Sequence, residues 1–157
     1  MSESTERAAI AFEVSNFIAL YWEDGEKNNA KDMADFISED SVYDAKVLRL
    51  EGRKQICEFT QKRSAAVSSV GRHLMSNLYF DFSGWAERQE VTVRGAMTWY
   101  GGVGTGILPV SLPMSIYDIN FKIRKGGKFG WTVVHTLYDP IFVRQDDDMK
   151  KYMGEKK

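Results

Sequence analysis

The chain has 157 residues, 43% of them hydrophobic and 13% aromatic, enough to bury one substantial core and within the usual size of one domain. Its 21 basic and 22 acidic residues leave a formal charge of -1 and are spread along the chain, which excludes a basic stripe for nucleic acid and a polybasic membrane patch. No apolar run is long enough to span a bilayer, and the stretch from Met1 to Glu6 is polar and acidic, so a cytoplasmic location and no membrane partner are expected. One cysteine, Cys57, cannot form an internal disulfide, and two histidines leave little material for a metal site.

Between Ala8 and Trp22 the residues Ile10, Val14, Phe17, Ile18 and Tyr21 recur at three- and four-residue spacing, which predicts an amphipathic helix ending near Asp24-Gly25. Asn28 and Asn29 are candidate N-caps for a short second helix carrying Met33, Phe36 and Ile37, interrupted at Ser38-Glu39-Asp40. A strand is expected from Val42 to about Leu48. Gly52 then turns the chain into a third helix, whose inward stripe is Ile56, Phe59, Arg63 through its aliphatic stem, Ala66 and Val70. Cys57 on that helix reads as an inert, partly buried thiol.

After Gly71 the pattern changes to long segments rich in Val, Ile, Tyr, Phe, Trp and Thr: Arg72 to Phe82, Glu90 to Tyr100, Met114 to Arg124 and Phe129 to Tyr138. Ser83-Gly84 and Lys125-Gly126-Gly127-Lys128 are tight turns, and Gly101 to Pro113 is a longer link, so the strands form an antiparallel meander. The expected fold is α+β: a cone-like curved, antiparallel (mixed) sheet wrapped around three N-terminal helices, with an apolar pocket. The whole of 1–157 reads as one domain, ordered over about 8–143, and the charged tail 145–157 reads as a solvated end.

Four phrases occur in an order that resembles the SnoaL-like members of the nuclear transport factor 2-like superfamily. They are Phe36 through Asp44, Leu50 through Ile56, Arg72-His73-Leu74-Met75-Ser76-Asn77, and Gly130-Trp131-Thr132-Val133-Val134. The resemblance covers roughly Ala8 to Val143. It implies a fold that hosts dehydratases, isomerases, cyclases, dehydrochlorinases, small subunits of ring-hydroxylating dioxygenases and plain binding modules, so the fold does not choose among them.

In the scytalone dehydratases and dehydrochlorinases that the sequence resembles, a histidine at the Arg-His-x-x-Ser/Thr-Asn position is the general base and an aspartate after helix one orients it. The matching residues are His73 and Asp24, with Glu23 or Asn28 as alternatives because the stretch Asp24 to Asn29 is about two residues longer than the family pattern. An imidazole near neutrality suits proton abstraction, and a carboxylate fixes its tautomer. The spacing from Phe36 to Asp44 resembles the ketosteroid isomerases, which makes Asp44 a second candidate base and Tyr21 a candidate oxyanion donor, one position out of register. Strand alternation places His73, Met75, Asn77 and Tyr79 on one face.

Tyr43, Met75, Asn77, Trp99, Tyr117, Trp131 and His135 are the candidate substrate-lining residues, an apolar set with polar tips that suits an aromatic or cyclic ring. The Gly101 to Gly106 run lacks the Lys-Ser/Thr and the strand-to-helix context of a phosphate loop and reads as a link or lid. No motif calls for a nucleotide, flavin or metal. The expected function is a cofactor-independent lyase or isomerase acting on a small hydrophobic cyclic metabolite. The alternative is a binding or assembly module like the dioxygenase small subunits. A homodimer or homotrimer is implied by the resemblance only.

Overall fold

The computed structural model describes residues 2–46, 48–66, 69–104, 107–109 and 112–144. The charged tail and parts of the link between Gly101 and Pro113 lie outside them. Helix α1 spans Glu3–Lys27, longer at both ends than the periodicity predicts. Ser2 caps its start by accepting from the Thr5 amide, with Glu3 and Glu6 in the positive first turn and Lys27 in the negative last one. The predicted stripe Ile10, Val14, Phe17, Ile18 and Tyr21 is buried, and Asp24 continues it one turn further.

Asn28 caps the end of α1 rather than the start of the next helix, and Asn29 and Ala30 follow in the left-handed region at φ 54° and 57°. Helix α2 is one turn, Met33–Phe36. Strand β1, Ile37–Asp44, follows at once and includes Ser38-Glu39-Asp40, which the sequence reads as a break; Ile37, Ser38 and Ser41 are buried. Strand β2, Arg49–Glu51, folds back on β1. Gly52, at φ 84°, makes the turn into α3, Arg53–Ala66.

The second half is the predicted meander: β3 Ser69–Asp81, β4 Glu90–Val103, β5 Ser115–Lys125 and β6 Trp131–Val143, with a one-turn helix α4, Trp85–Arg88, between β3 and β4. The sheet order is β2-β1-β6-β5-β4-β3, with β1 parallel to β6 and every other pair antiparallel, so the sheet is mixed and open, with β3 at one edge. Val91, Val93, Met97, Ile119, Phe121, Ile123, Trp131, Val133 and Tyr138 line the face that packs on α1, α2 and Ile56 of α3.

A β-bulge decides what the inner face carries. The β3–β4 register shifts between Ser76 and Tyr79, where Asn77 sits at φ 53°. Gly95 opposite it has no room for a side chain: a Cβ there would stand 2.7 Å from the Ser76 carbonyl oxygen and 2.9 Å from Leu78 Cδ2. Beyond the bulge the alternation inverts, so His73, Met75, Leu78 and Phe80 share the helix-facing side. Asn77 and Tyr79 are exposed on the other side, which corrects the simple alternation that grouped both with His73.

Candidate functional site

His73 lies on β3, the edge strand, and α1 runs alongside that edge. Trp22 and Glu26 are one helical turn apart on α1 and meet it together. The Trp22 and His73 rings stack at 4.0 Å between centroids and 23° between planes. Glu26 Oε1 lies 3.0 Å from His73 Nδ1 and also accepts the His73 backbone N–H, the donor that an edge strand leaves without a ladder partner. Glu26 Oε2 faces the Arg72 guanidinium at 3.8 Å. The side chains of His73 and Glu26 keep only 19% and 10% of their exposure.

Three influences act on the imidazole, two of them against its charged form and one for it. Burial, the largest, disfavours its charged form, the Glu26 carboxylate favours it, and the Arg63 cation opposes it again. The net result holds His73 below its ordinary value of 6.5, so the ring is neutral at pH 7. With Nδ1–H given to Glu26, Nε2 carries the lone pair.

The walls around this pair are apolar and aromatic. Ile18, Ala19, Trp22, Met75 and Leu78 line a recess of about 360 Å³ between α1 and β3, with Ser15, Glu23, Glu26, Lys27, Arg72 and His73 as its polar members. The Trp22 indole N–H donates to Met75 Sδ at 3.3 Å. Trp99, directly across the strands from His73, lies nearly parallel to it at 6.2 Å and 15°. Its indole occupies the space above Gly71 and Gly101, a cross-strand pair: a Cβ on Gly101 would come within 2.9 Å of Trp99 Cζ2. From Trp22 a chain of ring contacts runs inward to Phe121 and Tyr138, and from Tyr138 to Tyr43, Tyr117 and on to Phe59. Tyr43, Met75, Trp99 and Tyr117 thus stand with His73 on the inner face.

Other candidates lie elsewhere. Asp24 is buried, but its Oδ1 accepts from Asn28 Nδ2 at 2.9 Å and from the Asp32 amide at 3.2 Å, holding the α1–α2 turn. The carboxylate on His73 is that of Glu26, neither Asp24 nor the alternatives Glu23 and Asn28; Glu23 pairs with Lys27 at 2.7 Å. Tyr21 is buried in the core, and burial pushes its phenol far up. Asp44 pairs with Leu137 on the outer face, where Arg49 and the Lys46 amide hold its carboxylate, so it does not approach the inner face. His135 is also on the outer face, between Lys122 and Val42, with its Nδ1 buried and unpartnered among the described residues. Trp131 is core at the opposite end of the sheet, beside Trp85 at 6.0 Å. Asn77, on the outer side of the bulge, borders a second recess with Arg94, Asp118, Asn120 and Asp139. No group of histidine, cysteine and acidic side chains among the described residues is arranged to hold a metal ion. No helix among them is long and apolar enough to cross a membrane.

Solved structures with this architecture decide the fold. A protein named "Putative Scytalone Dehydratase" from Novosphingobium aromaticivorans superposes with a TM-score of 0.73 at 14% identity, over 92% of each chain. The chain has the nuclear transport factor 2-like fold. A nuclear transport factor 2-like protein of unknown function from Pseudomonas putida matches with a TM-score of 0.66 at 14% identity, over 88% of this chain and 91% of that one. A "putative aromatic ring hydroxylase" from Novosphingobium aromaticivorans matches at 0.67 and 16% identity, over 89% and 94%. No family model matches the sequence, and no curated protein matches it significantly. Nuclear transport factor 2-like neighbours at these identities share the fold; what each residue does here rests on this chain's own geometry.

Proposed function

We propose that this protein is a cofactor-independent lyase or isomerase that uses His73 as a general base on a small hydrophobic cyclic compound. The observation that carries the reading is the Glu26–His73 pair, 3.0 Å apart, in a recess with Ile18, Trp22, Met75 and Leu78, the imidazole stacked on Trp22. A neutral imidazole with Nδ1–H engaged has Nε2 ready to take a proton from carbon next to a carbonyl. Glu26 keeps the ring in that tautomer and balances the imidazolium that forms. If the substrate has a hydroxyl at the β position, the C–H pair becomes the new double bond, the hydroxyl leaves, and the imidazolium proton goes with it as water. Trp22 and Met75 offer polarisable walls that suit a cyclic substrate. The similarity of fold to a protein named as a scytalone dehydratase supports this class of chemistry.

The test is a panel of cyclic β-hydroxy ketones, followed by the absorbance of the conjugated product. Wild type is expected to turn over at least one member, and His73→Ala to lose on the order of 10²- to 10⁴-fold in kcat/KM. Unchanged turnover in His73→Ala overturns the assignment. A second reading is an assembly subunit like the small subunits of ring-hydroxylating dioxygenases that the sequence resembles, and the fold likeness to a protein named a putative aromatic ring hydroxylase is consistent with it. That reading predicts an inert protein alone and a stable complex with a larger metalloprotein.

A further inference from the structure

Arg63 stands out among the charged groups of the inner face. It is half-buried on α3, its guanidinium carbon lies 6.0 Å from the centre of the Trp99 ring, and it stands beside the Tyr43 phenol. Among the described residues no carboxylate forms an ion pair with it, whereas Arg49, Arg53, Arg72, Arg88, Arg94 and Arg124 each have one. A partly desolvated cation without a counter-ion is costly, and a binding site is the setting in which that cost has a use.

The hydrogen-bond chemistry sharpens the point. An arginine has donors only, so toward Arg63 the phenol oxygen of Tyr43 can act only as an acceptor. The phenol O–H is then left to donate. Arg63 keeps further N–H groups in a planar fork that matches a carboxylate. We infer that the ligand of this site carries a carboxylate on an aromatic or alicyclic ring, with Arg63 and the Tyr43 hydroxyl receiving the carboxylate while the ring lies along the Trp99 and His73 wall. The inference rests on the reading of His73 and its surroundings as the ligand site, and it names that ligand's chemical class.

The surroundings of His73 supply an internal reporter. Two ionised groups act on the imidazole: Glu26 at contact distance favours the charged form and Arg63 disfavours it, while Arg72 faces the other oxygen of Glu26. An anion seated on Arg63 cancels the unfavourable influence, so for the same ring lying on His73 a bound carboxylate leaves the His73 midpoint above that set by the matching neutral amide.

The experiment titrates wild-type protein with benzoate, 2-naphthoate and cyclohexanecarboxylate, and with the matching neutral amides. Tryptophan fluorescence gives affinity, and imidazole NMR gives the His73 midpoint. The carboxylates are expected to saturate and to hold the His73 midpoint above its value in the saturated amide complexes, with the amides on the order of ten- to a hundredfold weaker. In Arg63→Met the preference for carboxylate over amide is expected to vanish, and Arg63→Lys to restore part of it. Equal binding of acid and amide, retention of the preference in Arg63→Met, or no binding of any carboxylate overturns the inference. The wild-type comparison stands even if Arg63→Met fails to fold. The general-base assignment fails on a different result, unchanged turnover of a neutral hydroxy ketone in His73→Ala.

Discussion

Glu26 does two things for His73: it accepts the backbone N–H at an open sheet edge and it fixes the ring through Nδ1. Asp24 does neither, although it is the buried acid nearer the position that the resemblance points to. The two carboxylates therefore separate in experiment. Asp24→Ala removes the acceptor of the Asp32 amide and of the Asn28 side chain and is expected to cost about 1–3 kcal/mol of stability, read from urea unfolding. It should leave the NMR titration of His73 unmoved. Glu26→Gln is expected to do the reverse where the imidazole is concerned. The carboxylate is the influence that favours the charged ring, so its loss moves the His73 midpoint further down, and turnover falls by less than in His73→Ala. An Asp24→Ala protein whose His73 midpoint shifts like that of Glu26→Gln contradicts the assignment of partners.

Whether a residue reaches the inner face was settled by two elements whose detail sequence periodicity reads only in part. The first is the end of α1. Gly25 invites a helix stop near Asp24, yet the helix runs on to Lys27, and the Ile18, Trp22, Glu26 row at four-residue spacing becomes one continuous face against β3. Extending the helix by one turn in the sequence reading is all that Glu26 required. The second is the β3 bulge. His73 and Met75 were legible as neighbours on one face, and Arg63 as an inward residue of α3, because both precede any irregularity. Asn77 was not, because a bulge reverses every later side chain; the signal was Gly95 between the β-branched run Val91-Thr92-Val93 and the run Thr98-Trp99-Tyr100 of one strand. That glycine carries a prediction. A Cβ at Gly95 would meet a backbone oxygen that cannot swing aside, so Gly95→Ala should destabilise by about 1–3 kcal/mol, the overpacking outweighing the smaller gain from a stiffer unfolded chain. A urea midpoint equal to or above that of the wild type would show that the bulge yields. The outer-face positions of Asp44 and His135 follow from the β1–β6 pairing, a long-range parallel contact that no local pattern announces.

At the scale of the whole molecule, the order of helices and meander strands was readable from periodicity and turns, and the resemblance added the curved sheet. The pH response of the assembled core follows from groups that only the packed structure brings together. His73 and His135 are both held below the ordinary 6.5, first by burial. Between those lowered values and 6.5 the unfolded chain binds more protons than the folded one, so stability rises with pH through that window and is lost as pH falls through it. Glu90 adds a second acid limb. Its burial is outweighed by Arg88 Nε at 3.0 Å and Arg124 Nη2 at 2.9 Å, which hold it below 4.5, so its contribution is present above 4.5 and is lost as pH falls through its lowered value. On the alkaline side burial raises Tyr21, Tyr43 and Tyr138, which stay protonated in the fold while the unfolded chain ionises near 10, so stability falls as pH rises past 10. Cys57 contributes in the same sense from 9.0, in smaller measure because it is only half-buried. The expected profile is a plateau from about pH 7 to 9 with a fall on both sides. Urea unfolding of wild type, His73→Gln and Tyr138→Phe across pH 4 to 11 distinguishes the limbs. His73→Gln should flatten the fall just below pH 6.5 and leave the alkaline side alone, while Tyr138→Phe should do the opposite. An unaltered slope below pH 6.5 in His73→Gln would mean that His73 titrates alike folded and unfolded, which a ring stacked on Trp22 and closed over by Glu26 should not do.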